Sequence, residues 1–206
     1  MIVNYMIMKK YLQIFKLLIV TLQISFLSAE WELGIIGQDA SGIGSSHNIT
    51  LGTCETCIDS WKFGEDEYDY PNPHSGAYTN IHFFHLEWYG ATDENNNFCN
   101  QVEFSSDFRS ENPPSILVSW GIRGTTEGLE TNIPINITWN AEAVANLSDD
   151  YALFLHVGET SHDMRQSTSI SISQEELWLN ENQEPNIRVL MGACAETGTI
   201  THYFDY

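Results

Sequence analysis

Residues 133–139 read Ile133-Pro134-Ile135-Asn136-Ile137-Thr138-Trp139, an alternation of apolar and polar side chains that ends on an indole. A period of two is the pleat of a β-strand with one dry face and one wet face. The rhythm recurs on both sides of this segment. Ile116, Val118, Trp120 and Ile122 share a face, and Val102, Phe104 and Phe108 alternate with Glu103, Ser105 and Asp107. Trp31, Leu33 and Ile35 begin the pattern; His47, Ile49 and Leu51, then Ile170 and Ile172, then Ile187, Val189 and Met191 repeat it. Tyr151 to Val157 is apolar at odd and even positions alike, which predicts a central strand covered on both faces.

Gly, Asn, Pro and Asp clusters separate these runs, and helical periodicity is confined to two short stretches. Ala141 to Leu147 follows Asn140, and Gln174 to Leu179 follows Ser173, whose Ser-x-x-Glu spacing to Glu176 is a capping box. Nine or ten strands with local turns predict an all-β fold, an antiparallel two-sheet β-sandwich of the immunoglobulin or fibronectin-III kind, with a jelly roll as the competitor. No internal repeat or long linker divides residues 30–206, so a single domain is expected.

Residues 1–29 follow a different plan. They hold Lys9, Lys10 and Lys16, no acid, and an apolar stretch from Leu17 to Leu27 that leads to Ala29. Basic region, short apolar region and small exit residue make a secretory signal peptide. Eleven residues are too few to span about 30 Å of hydrocarbon as a helix. The expectation is a protein secreted or held at the cell surface, with no membrane span once the signal is removed.

All 28 acidic residues lie beyond this leader, opposed there only by Lys62, Arg109, Arg123, Arg165 and Arg188. So negative a surface repels phosphate backbones, which excludes nucleic acid as a partner. At 42% hydrophobic residues the chain is nevertheless rich enough to fold.

Four cysteines, Cys54, Cys57, Cys99 and Cys194, suit two disulfides in an exported chain. The favoured pairing is Cys54–Cys57 as a local loop and Cys99–Cys194 as a long clasp; a zinc site and free or redox thiols are the alternatives.

Chemistry concentrates between Trp61 and Tyr89. Glu65 to Gly76, punctuated by Pro71-Asn72-Pro73, reads as a surface loop. Trp61, Tyr68, Tyr70 and Tyr78 are candidate stacking platforms for sugar rings. Asp59, Glu65, Asp66, Glu67 and Asp69 are candidate Ca²⁺ ligands, since a hard cation takes six to eight oxygens. The plain alternative is a solvated acidic loop with its aromatics in the core. Asp93-Glu94-Asn95-Asn96-Asn97 is a second acidic run. His82 and His85, three apart, would point to opposite faces of a strand and make a poor metal pair. Glu87, Glu103 and Asp107 supply carboxylates for a glycosidase-type alternative, although no catalytic motif frames them. Asn48, Asn136 and Asn146 lie in N-x-[ST] sequons.

Trp31, Phe63-Gly64-Glu65-Asp66 running into Asp69 and Pro71, Phe104 to Arg109, Trp120, Ile137-Thr138-Trp139 and Asp163-Met164-Arg165 follow one order. That order resembles a β-sandwich accessory module, fibronectin-III- or immunoglobulin-like, of large secreted bacterial proteins, often found near a C-terminal sorting segment. The resemblance spans nearly all of residues 30–206 and brings no catalytic residues with it. The cysteines, the Asp93 to Asn97 insertion and the single Pro-Asn-Pro depart from the pattern.

Together these features predict a secreted, non-catalytic binding or structural module, cation-stabilised and in contact with an extracellular glycan or protein. A filament or surface-layer subunit that self-associates by strand addition is the alternative from another class.

Overall fold

The apolar alternation is realised as extended chain throughout the computed structural model, which describes residues 31–69, 76–110 and 117–193. Its strands are β1 (Trp31–Asp39), β2 (His47–Cys54), β3 (Tyr78–Phe84), β4 (Glu103–Phe104), β5 (Ser106–Ser110) and β6 (Val118–Glu127). After these come β7 (Ile135–Trp139), β8 (Tyr151–Val157), β9 (Thr160–Asp163), β10 (Ser169–Ile172) and β11 (Ile187–Ala193). They form a five-stranded sheet in the order β10-β7-β1-β2-β5 and a six-stranded sheet in the order β4-β3-β6-β11-β8-β9. This is the two-sheet, all-β architecture that the alternation predicts. The leader, Pro71 to Pro73, Tyr70 and Cys194 lie outside the described residues.

Pairing is antiparallel with one exception among the named strands, β2 beside β5, where Thr50 to Cys54 run parallel to Ser106 to Ser110. Both expected helices form as single turns or little more. Helix α1 (Ala141–Asn146) starts at Asn140, whose side chain accepts from the Glu142 amide. A 3₁₀ turn, Gln174–Leu177, carries the complete Ser173–Glu176 capping box. A second 3₁₀ turn, Leu86–Trp88, follows β3.

Leu33, Ile35, Ile49, Leu51, Ile135 and Ile137 from one sheet meet Ile81, Phe83, Trp120, Ile122, Leu155 and Val189 from the other, all fully buried. Indole N–H groups inside are mostly satisfied: Trp31 Nε1 donates to Ala143 O at 2.8 Å, pinning α1 onto β1, and Trp139 Nε1 donates to Met164 O at 3.1 Å. Gly52 is required by close approach, because a Cβ there would lie 2.4 Å from Trp31 O and 2.6 Å from the Phe108 ring.

Two expectations fail, each for a physical reason. Strand β8 is not the one covered on both faces: Leu153, Leu155 and Val157 are buried while Phe154 and His156 are half-buried, because β8 lies next to the edge strand β9. The strand covered on both faces is β3, buried from Thr79 to Phe83. The Phe104–Phe108 phase also breaks. The chain passes from one sheet to the other at Ser105, so Asp107 and Arg109 turn inward while Phe108 is half-buried. Among the described residues the edge strands β4, β5, β9 and β10 have two, five, four and four residues; short edges offer little to a pairing chain.

Candidate functional site

Strand β3 is buried twice because two different layers cover it. Ile81 and Phe83 face the sandwich core, whereas Asn80 and His82 lie under the loop that carries Asp69. Asn80 Nδ2 donates to Asp69 Oδ2 at 2.9 Å. His82 is 1% exposed, with Nδ1 3.6 Å from Asp69 Oδ2 and Nε2 3.2 Å from Glu103 Oε1 on β4. Both contacts fall within ion-pair range, yet neither ring nitrogen makes a hydrogen bond of acceptable direction. Across the strand, Arg123 of β6 reaches Glu103 Oε1 at 3.4 Å and stacks on Phe84.

His47, on β2, approaches Asp69 from the other side. Its Nδ1 lies 2.6 Å from Ile81 O; a carbonyl only accepts, so Nδ1 carries the proton. Its Nε2 lies 3.3 Å from Asp69 Oδ1. The close His82 contact, with the charges of His82 and Arg123, lowers the Glu103 carboxyl more than burial raises it, so its pKa falls below the usual value.

A second histidine cluster begins three residues later. His85 Nε2 is 2.7 Å from Asp107 Oδ2 and Nδ1 is 2.8 Å from Glu87 Oε1. Carboxylates accept, so both ring nitrogens donate. Burial pushes the His85 pKa down, but the bonds to Asp107 and Glu87 outweigh it and the net shift is upward. The ring stacks on Trp88 with centroids 3.7 Å apart, and the Arg109 guanidinium covers the same indole at 4.9 Å. Arg109 also meets Asp107 Oδ1 at 2.7 Å through Nε and donates to Oδ2 at 2.9 Å through Nη2. The first contact is short without a well-aimed N–H, so the second carries the bond.

This geometry bears on the glycosidase-type carboxylates. The imidazole of His85 fills the space between Glu87 and Asp107, and Glu103 belongs to the other cluster. The three acids therefore do not face one another across an open gap, as a hydrolase pair must.

The five acids proposed for Ca²⁺ do not form one close ligand group among the described residues, although Asp66, Glu67 and Asp69 line one cleft. Asp59 caps Ser110 through its amide and hydroxyl, Glu65 pairs with Lys62 at 2.9 Å, and Glu67 is exposed. Asp66 is buried and accepts from the Lys62 and Phe108 amides at 2.9 and 3.2 Å, tying the loop to β5. Burial, and secondarily the nearby Asp107 charge, push its pKa up to about 7. Among the described residues, Asp69 alone of the five joins a group of three or more ligand-type side chains, and its companions are His82 and Glu103. Asp93 is a turn cap, accepting from the Asn95 and Asn97 amides at 2.9 Å each.

The aromatic platforms are also rearranged. Trp61 is 2% exposed and stacks on Tyr68, which is half-buried against Phe104, so Trp61 presents no face to solvent. Tyr78 is half-buried and its hydroxyl donates to Glu127 at 2.8 Å; Tyr70 lies outside the described residues. Among the described residues between Trp61 and Tyr89 the exposed rings are Tyr89, at 61%, and, beside the Asp69 loop, Phe63, at 63%. Phe63 stands on the rim of an open cleft of about 570 Å³ whose lining includes His47, Asp66, Glu67, Tyr68 and Asp69. Sequence reasoning passed over Phe63 because an apolar residue beside Trp61 reads as core.

Cys54 and Cys57 are joined by a disulfide. Cys99 is buried, and the partner expected for it, Cys194, lies outside the described residues. Asn48 and Asn146 are exposed and Asn136 is half-buried.

Compared with known proteins, the chain matches no family model, no curated protein and no solved structure.

Proposed function

We propose that this protein is an exported, non-catalytic β-sandwich module that binds an extracellular glycan in the cleft beneath Phe63. The observation that carries this reading is the cleft's composition. An exposed phenyl ring and the half-buried Tyr68 adjoin Asp66, Glu67 and Asp69 in one concavity of about 570 Å³. Sugar rings offer apolar C–H faces to an aromatic ring and hydroxyls to carboxylates, so the pairing of the two side-chain types is the recognition chemistry. The leader-like plan of residues 1–29 and the Cys54–Cys57 disulfide support export into an oxidising setting.

The test is a glycan array probed with the full chain and with Phe63→Ala. Phe63 contributes little to the core, so the variant is expected to fold normally and to lose at least about tenfold in signal, the weight of one exposed aromatic contact. A variant that binds like the parent, or a parent that binds nothing on the array, overturns the reading.

A further inference from the structure

We propose that Asp69, His82 and Glu103 form a binding site for one divalent transition-metal ion of the zinc class. The three side chains come from a loop, from β3 and from β4, and one ligand atom from each lies within 4.8 Å of the others. Zinc holds such atoms at about 2.0–2.2 Å, which places neighbouring ligands of a tetrahedral site about 3.3–3.5 Å apart. His82 Nε2 and Glu103 Oε1 already stand 3.2 Å apart.

The second, independent observation is the state of His82. Its ring is 1% exposed, and neither nitrogen makes a hydrogen bond of acceptable direction, although Nδ1 lies 3.6 Å from Asp69 and Nε2 3.2 Å from Glu103. Leaving a buried polar atom without a partner is costly, and such a group calls for an explanation. A cation bound to one ring nitrogen beside Asp69 and Glu103 supplies one for that atom, because it replaces an ill-directed contact by a dative bond from the ring lone pair, while the other nitrogen keeps its proton and its carboxylate neighbour.

The surroundings hold the carboxylate in place. Asn80 Nδ2 donates to Asp69 Oδ2, and His47 Nε2 faces Asp69 Oδ1 at 3.3 Å while Ile81 O fixes the His47 ring through Nδ1. Outer contacts of this type set ligand orientation in metal sites. Arg123 pairs with Oε1 of Glu103 at 3.4 Å, so an ion at that oxygen has to displace the guanidinium, and the Glu103 side chain, one-third exposed, gives it a route from solvent. One imidazole with two carboxylates suits zinc and its transition-metal neighbours, whereas Ca²⁺ takes oxygen ligands alone. This site goes beyond the glycan reading: zinc binding without glycan binding removes only that reading, and the reverse result removes only this one.

The experiment is calorimetric titration of ZnCl₂ into the full chain after EDTA treatment and buffer exchange at pH 7. One saturable site is expected that Glu103→Gln weakens at least tenfold, with an unchanged far-UV circular dichroism spectrum. His82→Asn is expected to abolish the site, and millimolar Ca²⁺ to leave it occupied. If His82→Asn fails to fold, Glu103→Gln decides, with the visible d–d absorption of Co²⁺ as the second readout. No saturable zinc binding, or a Glu103→Gln chain that binds zinc and Co²⁺ like the parent, overturns the proposal.

Discussion

His82 and His85 stand three residues apart, each buried between two carboxylates, and the protein treats them oppositely. His85 donates from both nitrogens at 2.7 and 2.8 Å, lies flat on Trp88, and has Arg109 to balance the charge of Asp107. His82 has carboxylate oxygens at 3.2 and 3.6 Å in directions that its N–H groups do not meet. The difference teaches that composition does not separate a structural histidine from a ligand-binding one. Direction does. In the His85 network both ring nitrogens are satisfied, although Arg109 Nε meets Asp107 Oδ1 without a well-aimed bond, whereas in the other cluster the ring itself is left unsatisfied.

The comparison breaks most easily at Asp107, which is fully buried between two cations. Asp107→Ala strands His85 and Arg109 without a counter-charge, and loss of one partner from a buried ion network costs about 3–5 kcal/mol. Urea denaturation should show a loss of that size; a cost below about 1 kcal/mol would mean that the network is not closed. Glu103→Gln is the matched control in the other cluster. Its side chain is one-third exposed, so without added metal a cost of about 1 kcal/mol or less is expected from the same measurement.

A pH scan sharpens the contrast further. The His85 pKa is raised, so its contribution is complete below about 6.5 and is lost as pH rises through the folded value. Asp66, pushed up to about 7, acts in the same direction, since the folded chain holds a proton there that the unfolded chain releases near 4. Glu87 and Glu103 are lowered, so their contributions disappear as pH falls below about 4.5. The thermal midpoint should therefore peak in the mildly acidic range near pH 5 and decline toward pH 8. Asp66→Asn should flatten the decline between pH 4 and 7; an unchanged slope would show that this carboxyl is not the source. The smallest effect is expected at Phe63→Ala, within about 0.5 kcal/mol of the parent, because an exposed ring holds little of the core.

The sheets were legible in the sequence wherever one face is wet. Ile135, Ile137 and Trp139 are inside, as their alternation requires, and the capping box at Ser173 forms as read. The site was not legible, for two physical reasons. Alternation reports a face only while the chain stays in one sheet, and the crossing at Ser105 reverses the phase, hiding Asp107 and Arg109 among residues that look wet. Strand β3 carries polar residues on its second buried face, so Asn80 and His82 resemble a solvent-facing row until the Asp69 loop is seen to cover them. Asp69 was grouped with Asp59, Glu65, Asp66 and Glu67, none of which joins it in a cluster of ligand-type side chains among the described residues. The ligand-type side chains that do cluster with it, His82 and Glu103, are 13 and 34 positions along the chain, beyond the reach of any local motif.

The most direct test is a two-dimensional ¹⁵N–¹H spectrum of the histidine side chains, recorded for the full chain before and after one equivalent of Zn²⁺. The His82 ring nitrogens are expected to shift on zinc addition while both His85 nitrogens remain protonated and unmoved. A His82 signal unaffected by zinc, or a His85 signal that moves in its place, would contradict the account.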